Sequence, residues 1–244
     1  MMNSGAEAVE TAIKAARKWS YEKKGIAANQ AEIIVFKGNF HGRTTTIIGF
    51  SDDDVASGNF GPFPTGFHMA DYGDLDSVKS LINDNTCAIM LEPIQGEGGV
   101  VVPREGFLKD LRALCDDNNV LLFVDEIQAG LGRTGKMFAF EHEGIRPDGV
   151  TIGKALSGGL YPVSAFLADD KVMDVFTPGS HGSTYGGNPL ACAVANAALD
   201  VLVDEDLVNK SHELGQYLLE KTVAIGSKHV KEVRVTEAEL AQYE

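Results

Sequence analysis

The chain has 244 residues, of which 44% are hydrophobic and 23% charged. That is enough apolar material for one large core or two small ones, and it argues against disorder. Lys and Arg number 21 against 35 Asp and Glu, a formal net charge of -14, so most of the surface repels phosphate backbones and anionic lipid. With no basic cluster, nucleic acid is not an expected partner. The longest apolar runs, such as residues 120–124, are about five residues against the roughly 20 of a spanning helix, so no membrane partner is expected either.

In chain order, a helical pattern over Ala6–Lys24 follows the small-residue opening Asn3-Ser4-Gly5, and a strand is predicted over Ile33–Phe36. A helix over Leu75–Asn83 precedes a strand over Cys87–Leu91, and a helix over Gly106–Asn118 precedes a strand over Leu121–Val124. Strands over Gly149–Ile152 and Val163–Leu167 follow, then helices over Pro189–Val203 and Glu205–Lys221. A last strand over Val230–Val235 and an acidic helical tail over Thr236–Glu244 close the reading. The strands are continuous apolar runs rather than alternating ones, which implies burial on both faces. The expected class is therefore α/β, a mostly parallel sheet flanked by helices, with ligands at the carboxyl ends of its strands. Residues 1–225 are expected to form the large domain, and 226–244 the start of a second, smaller one or a divergent tail. Both ends look abrupt, as in a piece of a longer protein.

Cys87, Cys115 and Cys192 are isolated and lack metal spacing, which suits a reducing, cytoplasmic compartment. The six histidines show no paired spacing, so no metal site is expected. Other residues carry more chemistry. The run Leu121–Val124 ends in Asp125, with Gln128 three residues on. Read alone, Asp125 caps the next turn; read with a ligand, it is a carboxylate at the mouth of a cleft. Lys154 follows the strand Gly149–Ile152 and precedes a Gly-rich turn. There a partly desolvated lysine could have a lowered pKa and form a Schiff base. Asn3–Ala8 opens a helix whose first N–H groups can cradle an anion, and Ser183-Thr184 lie in a second Gly-rich loop suited to phosphate. Gly130–Lys136 fits a P-loop over seven positions, but Met137 stands where a Mg²⁺-binding hydroxyl is required.

The ordered set NSGAEAVE (3–10), GNFHGRT (38–44), EPIQGEGG (92–99), DEIQAGLGRTG (125–135), GKALSGG (153–159) and HGSTYGGNPL (181–190) resembles the class III pyridoxal-phosphate-dependent aminotransferases. Within them GKALSGGLYPVSA and GNFHGRT look most like the ornithine-specific branch, while Gly98-Gly99 leans toward the acetylornithine branch. The resemblance implies the large domain of a fold-type I transferase with pyridoxal 5'-phosphate as cofactor, and amino-acid and 2-oxo-acid substrates. It implies that Lys154 holds the cofactor, Asp125 pairs with its ring nitrogen, Gln128 bonds its ring hydroxyl and Phe40 stacks on the ring. Gly5 and Ala6 would present N–H groups to the phosphate, and Ser183 and Thr184 would reach the phosphate of a neighbouring subunit in a homodimer. Arg43 would bind a substrate carboxylate, and Glu97 would act as a switch by pairing with a late arginine that has no counterpart here. The implied reaction transfers the δ-amino group of ornithine to 2-oxoglutarate. A catalytically silent cofactor-binding piece is the alternative, and a missing leader could direct the protein to a mitochondrial matrix.

Overall fold

The structure, a computed structural model, describes residues 1–230 and 232–234. Six strands among them form one sheet: β1 Glu32–Phe36, β2 Phe67–Ala70, β3 Thr86–Leu91, β4 Leu121–Asp125, β5 Gly149–Ile152 and β6 Ala165–Ala168. Their order is β2-β1-β3-β4-β5-β6; the first five run parallel, and β6 closes one edge antiparallel to β5.

Alternation along each strand explains the continuous apolar runs. Ile33, Val35, Met90, Leu121 and Phe123 enter a core on one face, and Ile34, Phe36, Ile89, Leu91, Leu122 and Val124 enter a core on the other. Each fully buried Ile, Leu or Phe contributes roughly 1.5–3 kcal/mol. Helix α1 (Gly5–Trp19) covers the first face with Val9, Ala12, Ile13, Ala16 and Trp19; its alanines let it lie close to the sheet. Helices α2 (Leu75–Leu81) and α3 (Phe107–Asp117) cover the second face through Val78, Phe107, Leu111 and Cys115. Helix α4 (Pro189–Asp204) buries Ala191 and Ala195 against the turn Lys154–Ser157, and α5 (Leu207–Ile225) packs on α4. None of the described helices is long and apolar enough to cross a membrane.

The structure departs from the sequence reading in a few places. Strand β2 is unforeseen: Phe67-His68-Met69-Ala70 has no β-branched residue and buries only Ala70, so the backbone edge offered by β1 makes it a strand. The predicted helix Ala6–Lys24 stops at Trp19 and finishes as a wide π turn, Ser20–Lys24, in which Ser20 O accepts from both Gly25 and Ile26 N–H. Single helical turns at Thr45–Ile48 and Asp54–Ser57 start on the caps Thr44 and Asp53, too short for a periodic signal. Of the predicted strand Val230–Val235, residues 230 and 232–234 are not in a strand; the rest of it and the tail Thr236–Glu244 lie outside the described residues.

Candidate active site

The segments leaving the carboxyl ends of the parallel strands converge at one place, as an α/β sheet dictates. Phe40, His41 and Arg43 follow β1, and Glu92 to Glu97 follow β3. Asp125 ends β4 with Gln128 just beyond, and Lys154 follows β5. The edge strand brings the start of α1 to the same rim. Met2 N–H donates to Ser164 O at 2.7 Å, Ser164 N–H to Met2 O at 3.0 Å, and Ser164 Oγ to Ser4 O at 2.6 Å. A cavity of about 180 Å³ results, and its lining includes Gly5, Ala6, Phe40, Asp125, Gln128 and Lys154.

Asp125 is 4% exposed and well supplied with donors. Its Oδ1 accepts from Ile127 N–H at 3.0 Å and from the Thr151 hydroxyl at 2.9 Å, while Oδ2 lies 2.6 Å from His41 Nδ1. Asp125 therefore caps the next turn and faces the cavity at once. A carboxylate accepts about four hydrogen bonds, so Oδ2 keeps capacity for one more donor from the cavity side. Burial works against a charged His41, but the bond to Asp125 and its field, with Glu92 adding, outweigh it and raise the His41 pKa. Glu92 lines the same cavity, and burial pushes its carboxyl up to about 7, against the pull of His41.

Lys154 opens a 3-10 turn with φ +39°, a left-handed conformation that costs a non-glycine residue on the order of 1 kcal/mol or more and that concentrates at functional sites. Its Nζ donates to Gln128 Oε1. Lys154 is exposed at the cavity mouth, not partly desolvated as its place in the sequence suggested. Gln128 can lie across the site because Gly96 has no side chain: a Cβ there would sit 2.2 Å from Gln128 Nε2. At the far end Ser4 and Glu7 form a capping box, in which the Glu7 carboxylate takes Asn3 and Ser4 N–H and Ser4 Oγ takes Glu7 N–H. Those bonds leave the Gly5 and Ala6 N–H groups for an anion at the positive end of α1. Ser4 thus caps the helix, as its plain reading has it. Gly42, at φ +133°, presses on this turn; a Cβ there would meet Ala6 Cβ at 2.8 Å.

Arg43 and Glu97 stay outside this cavity but share the neighbouring one, of about 220 Å³, which also touches Phe40. The Arg43 guanidinium sits 5.3 Å from the Phe40 ring centre. Ser183 and Thr184 do not reach the cavity: Ser183 Oγ accepts from Asn3 Nδ2 at 2.9 Å beside the start of α1, and Thr184 is exposed. His41 and Glu92 were missed as site residues although both stand in the quoted motifs. Their signal was a titratable residue within a few positions of a strand end. Gly130–Lys136 forms turns and runs into the 3-10 turn Ala139–Glu143, with no helix start to complete a phosphate-binding loop.

The surrounding residues fit pyridoxal phosphate: an acidic acceptor with spare capacity, a lysine on the same cavity, and free N–H groups at a helix start. Known proteins agree. The family model for aminotransferase class-III matches residues 1–240. The ornithine aminotransferase of Oceanobacillus iheyensis is 57% identical over 96% of this chain and 58% of its own length. The crystal structure of the Toxoplasma gondii ornithine aminotransferase superposes with a TM-score of 0.93 at 47% identity, over 96% of this chain and 56% of that one. A second structure of that enzyme has PLP at partial occupancy in its active site. The acetylornithine aminotransferase of Elizabethkingia anophelis gives a TM-score of 0.83 at 55% identity, over 96% of this chain and 58% of that one. This chain spans a little over half the length of each of these relatives. The match over nearly all of its residues shows that it belongs to the class-III aminotransferases.

Proposed function

We propose that the chain is the cofactor-binding large domain, residues 1–225 with the start of a smaller domain after it, of a pyridoxal-phosphate-dependent ornithine δ-aminotransferase. The observation that carries this reading is the placement of Asp125 at the end of β4 and of Lys154 just after the neighbouring parallel strand β5, around one cavity, with Asp125 backed by His41. When bound, pyridoxal phosphate supplies a carbonyl that carries the amino group between substrates and a ring that accepts electron density. Lys154 Nζ holds the cofactor and then moves a proton at the reacting carbon. Asp125 Oδ2 keeps a proton on the ring nitrogen, and His41 keeps that carboxylate ionised and in place. Gln128 orients the ring hydroxyl, Phe40 covers a ring face, and Gly5 and Ala6 N–H bind the phosphate.

Arg43 binds a carboxylate of the 2-oxo acid, with Glu97 across the same adjoining cavity as a counter-charge that governs which end of the amino acid enters. Ser183 and Thr184, displaced from their own cavity, complete the phosphate site of the second copy in a homodimer with shared active sites. The compartment we assign is the cytoplasm. Acetylornithine is the second reading, favoured by Gly98-Gly99. The test is borohydride reduction of the chain with pyridoxal phosphate and peptide mapping, followed by glutamate production from 2-oxoglutarate with ornithine or acetylornithine. Label on Lys154 and a preference for ornithine are expected; label on Lys136 or Lys37 overturns the site.

A further inference from the structure

The segments after β1 and β3 come from strands that are neighbours in the sheet but lie more than fifty residues apart in the chain. They carry the residues assigned to the ring face and to the substrate carboxylate, so their relative placement decides the pocket. Gln95 Nε2 donates to Lys37 O at 2.8 Å, which ties the two segments once. Glu92, directly after β3, is 5% exposed and lines the cavity. Glu92 Oε2 accepts from Phe40 N–H at 2.9 Å. Its own main-chain oxygen is held by the Tyr72 hydroxyl at 2.9 Å. A buried carboxyl is expensive, and burial raises this one despite His41 and the Phe40 N–H. An acid retained at such a cost, with an N–H of the other segment on it, has a task that an apolar side chain cannot perform.

We propose that Glu92 is a positioning residue: its carboxylate, just past the end of β3, bridges to the Phe40 N–H and so holds the Phe40–Arg43 segment against the Glu92–Glu97 segment beside the active-site cavity. The inference rests on the roles assigned above to Phe40, Arg43 and Glu97. A carboxyl suits the bridge because one oxygen accepts the Phe40 N–H whether or not the other carries a proton, which an apolar side chain cannot do. The titratable groups acting on it are His41, which favours its ionised form, and Asp125, which opposes it.

The test is amide hydrogen exchange on the 244-residue chain and on Glu92→Ala and Glu92→Gln, with pyridoxal phosphate affinity read by absorbance on the same three proteins. In Glu92→Ala, exchange in the peptide covering 38–44 should rise about tenfold or more, the size of one charge-assisted hydrogen bond. Peptides in α3 should be unchanged. Cofactor affinity should fall by a similar factor, with Lys154 still the labelled lysine. Glu92→Gln, which keeps one acceptor, should fall between. Exchange in the 38–44 peptide equal to the parent's in Glu92→Ala overturns the proposal, as does faster exchange with unaltered cofactor affinity. If Glu92→Ala loses protection throughout the chain, Glu92→Gln decides: a change confined to the 38–44 peptide supports the bridge, and no change overturns it. A parent chain that fails to bind the cofactor would refute the proposed function, while the exchange measurement would still judge the bridge.

Discussion

Asp125→Asn separates the charge of the site from its shape. The amide is nearly isosteric, and its oxygen can keep the bonds from Ile127 N–H and the Thr151 hydroxyl. Its nitrogen then faces His41 Nδ1, donor against donor, in place of a 2.6 Å charge-assisted bond. His41 can relieve this by moving its proton to Nε2, but that atom is buried without a partner in the structure. Losing a buried bond to a charged group costs about 1.5–3 kcal/mol. The pH dependence follows from the raised His41 pKa. The pair's contribution is fully present below the ordinary histidine value, about 6.5 in the unfolded chain, and is lost as pH rises through the raised folded value. The stability gap between parent and variant should therefore be widest near pH 6 and narrower at pH 9. Urea denaturation reads it as a midpoint shift of about 1 M at pH 6 for a slope of 2–3 kcal/mol per M. By NMR the His41 pKa should fall, because burial then acts with only Glu92 opposing it. In a complete enzyme, turnover should drop by about 4 kcal/mol of transition-state stabilisation. A gap independent of pH, or a His41 that titrates as in the parent, would refute the reasoning.

Gly42→Ala should destabilise the chain by about 1–3 kcal/mol and weaken cofactor binding, because φ +133° disfavours a side chain and the new Cβ meets Ala6; a thermal melt and a cofactor titration check this. Burial pushes the Glu126 carboxyl up to about 7 despite bonds from Ala139 and Phe140 N–H. A folded value above the ordinary 4.5 means stability is lost as pH rises from about 4.5 through 7, and in Glu126→Gln that part of the pH slope should vanish from urea titrations. The chain should sediment as a dimer, since Leu160, Leu190, Val201 and Val203 leave apolar surface exposed on and beside α4; a stable monomer with tight cofactor binding would contradict this.

Much of the architecture was legible in the residue pattern. Leu121–Val124 and Cys87–Leu91 read as strands buried on both faces, and both sit in the middle of the parallel sheet with cores above and below. The acid at the end of the first, and the lysine after Gly149–Ile152, were marked because strand ends in an α/β fold point at ligands. Strand β2 was not legible: its residues have no strong preference, and its hydrogen bonds go to a partner that the local sequence does not reveal.

The sequence by itself determined which residues are apolar, which segments can be strands or helices, and which side chains carry chemistry, because these follow from local composition and period. Only the tertiary structure decided that His41 lies 2.6 Å from Asp125, 84 residues away, and that Glu92 takes the N–H of Phe40 across 52. The parallel strands of one sheet bring together segments that the chain separates by whole helices and strands. The partner each buried charge finds there is set by sheet order, which no local pattern encodes.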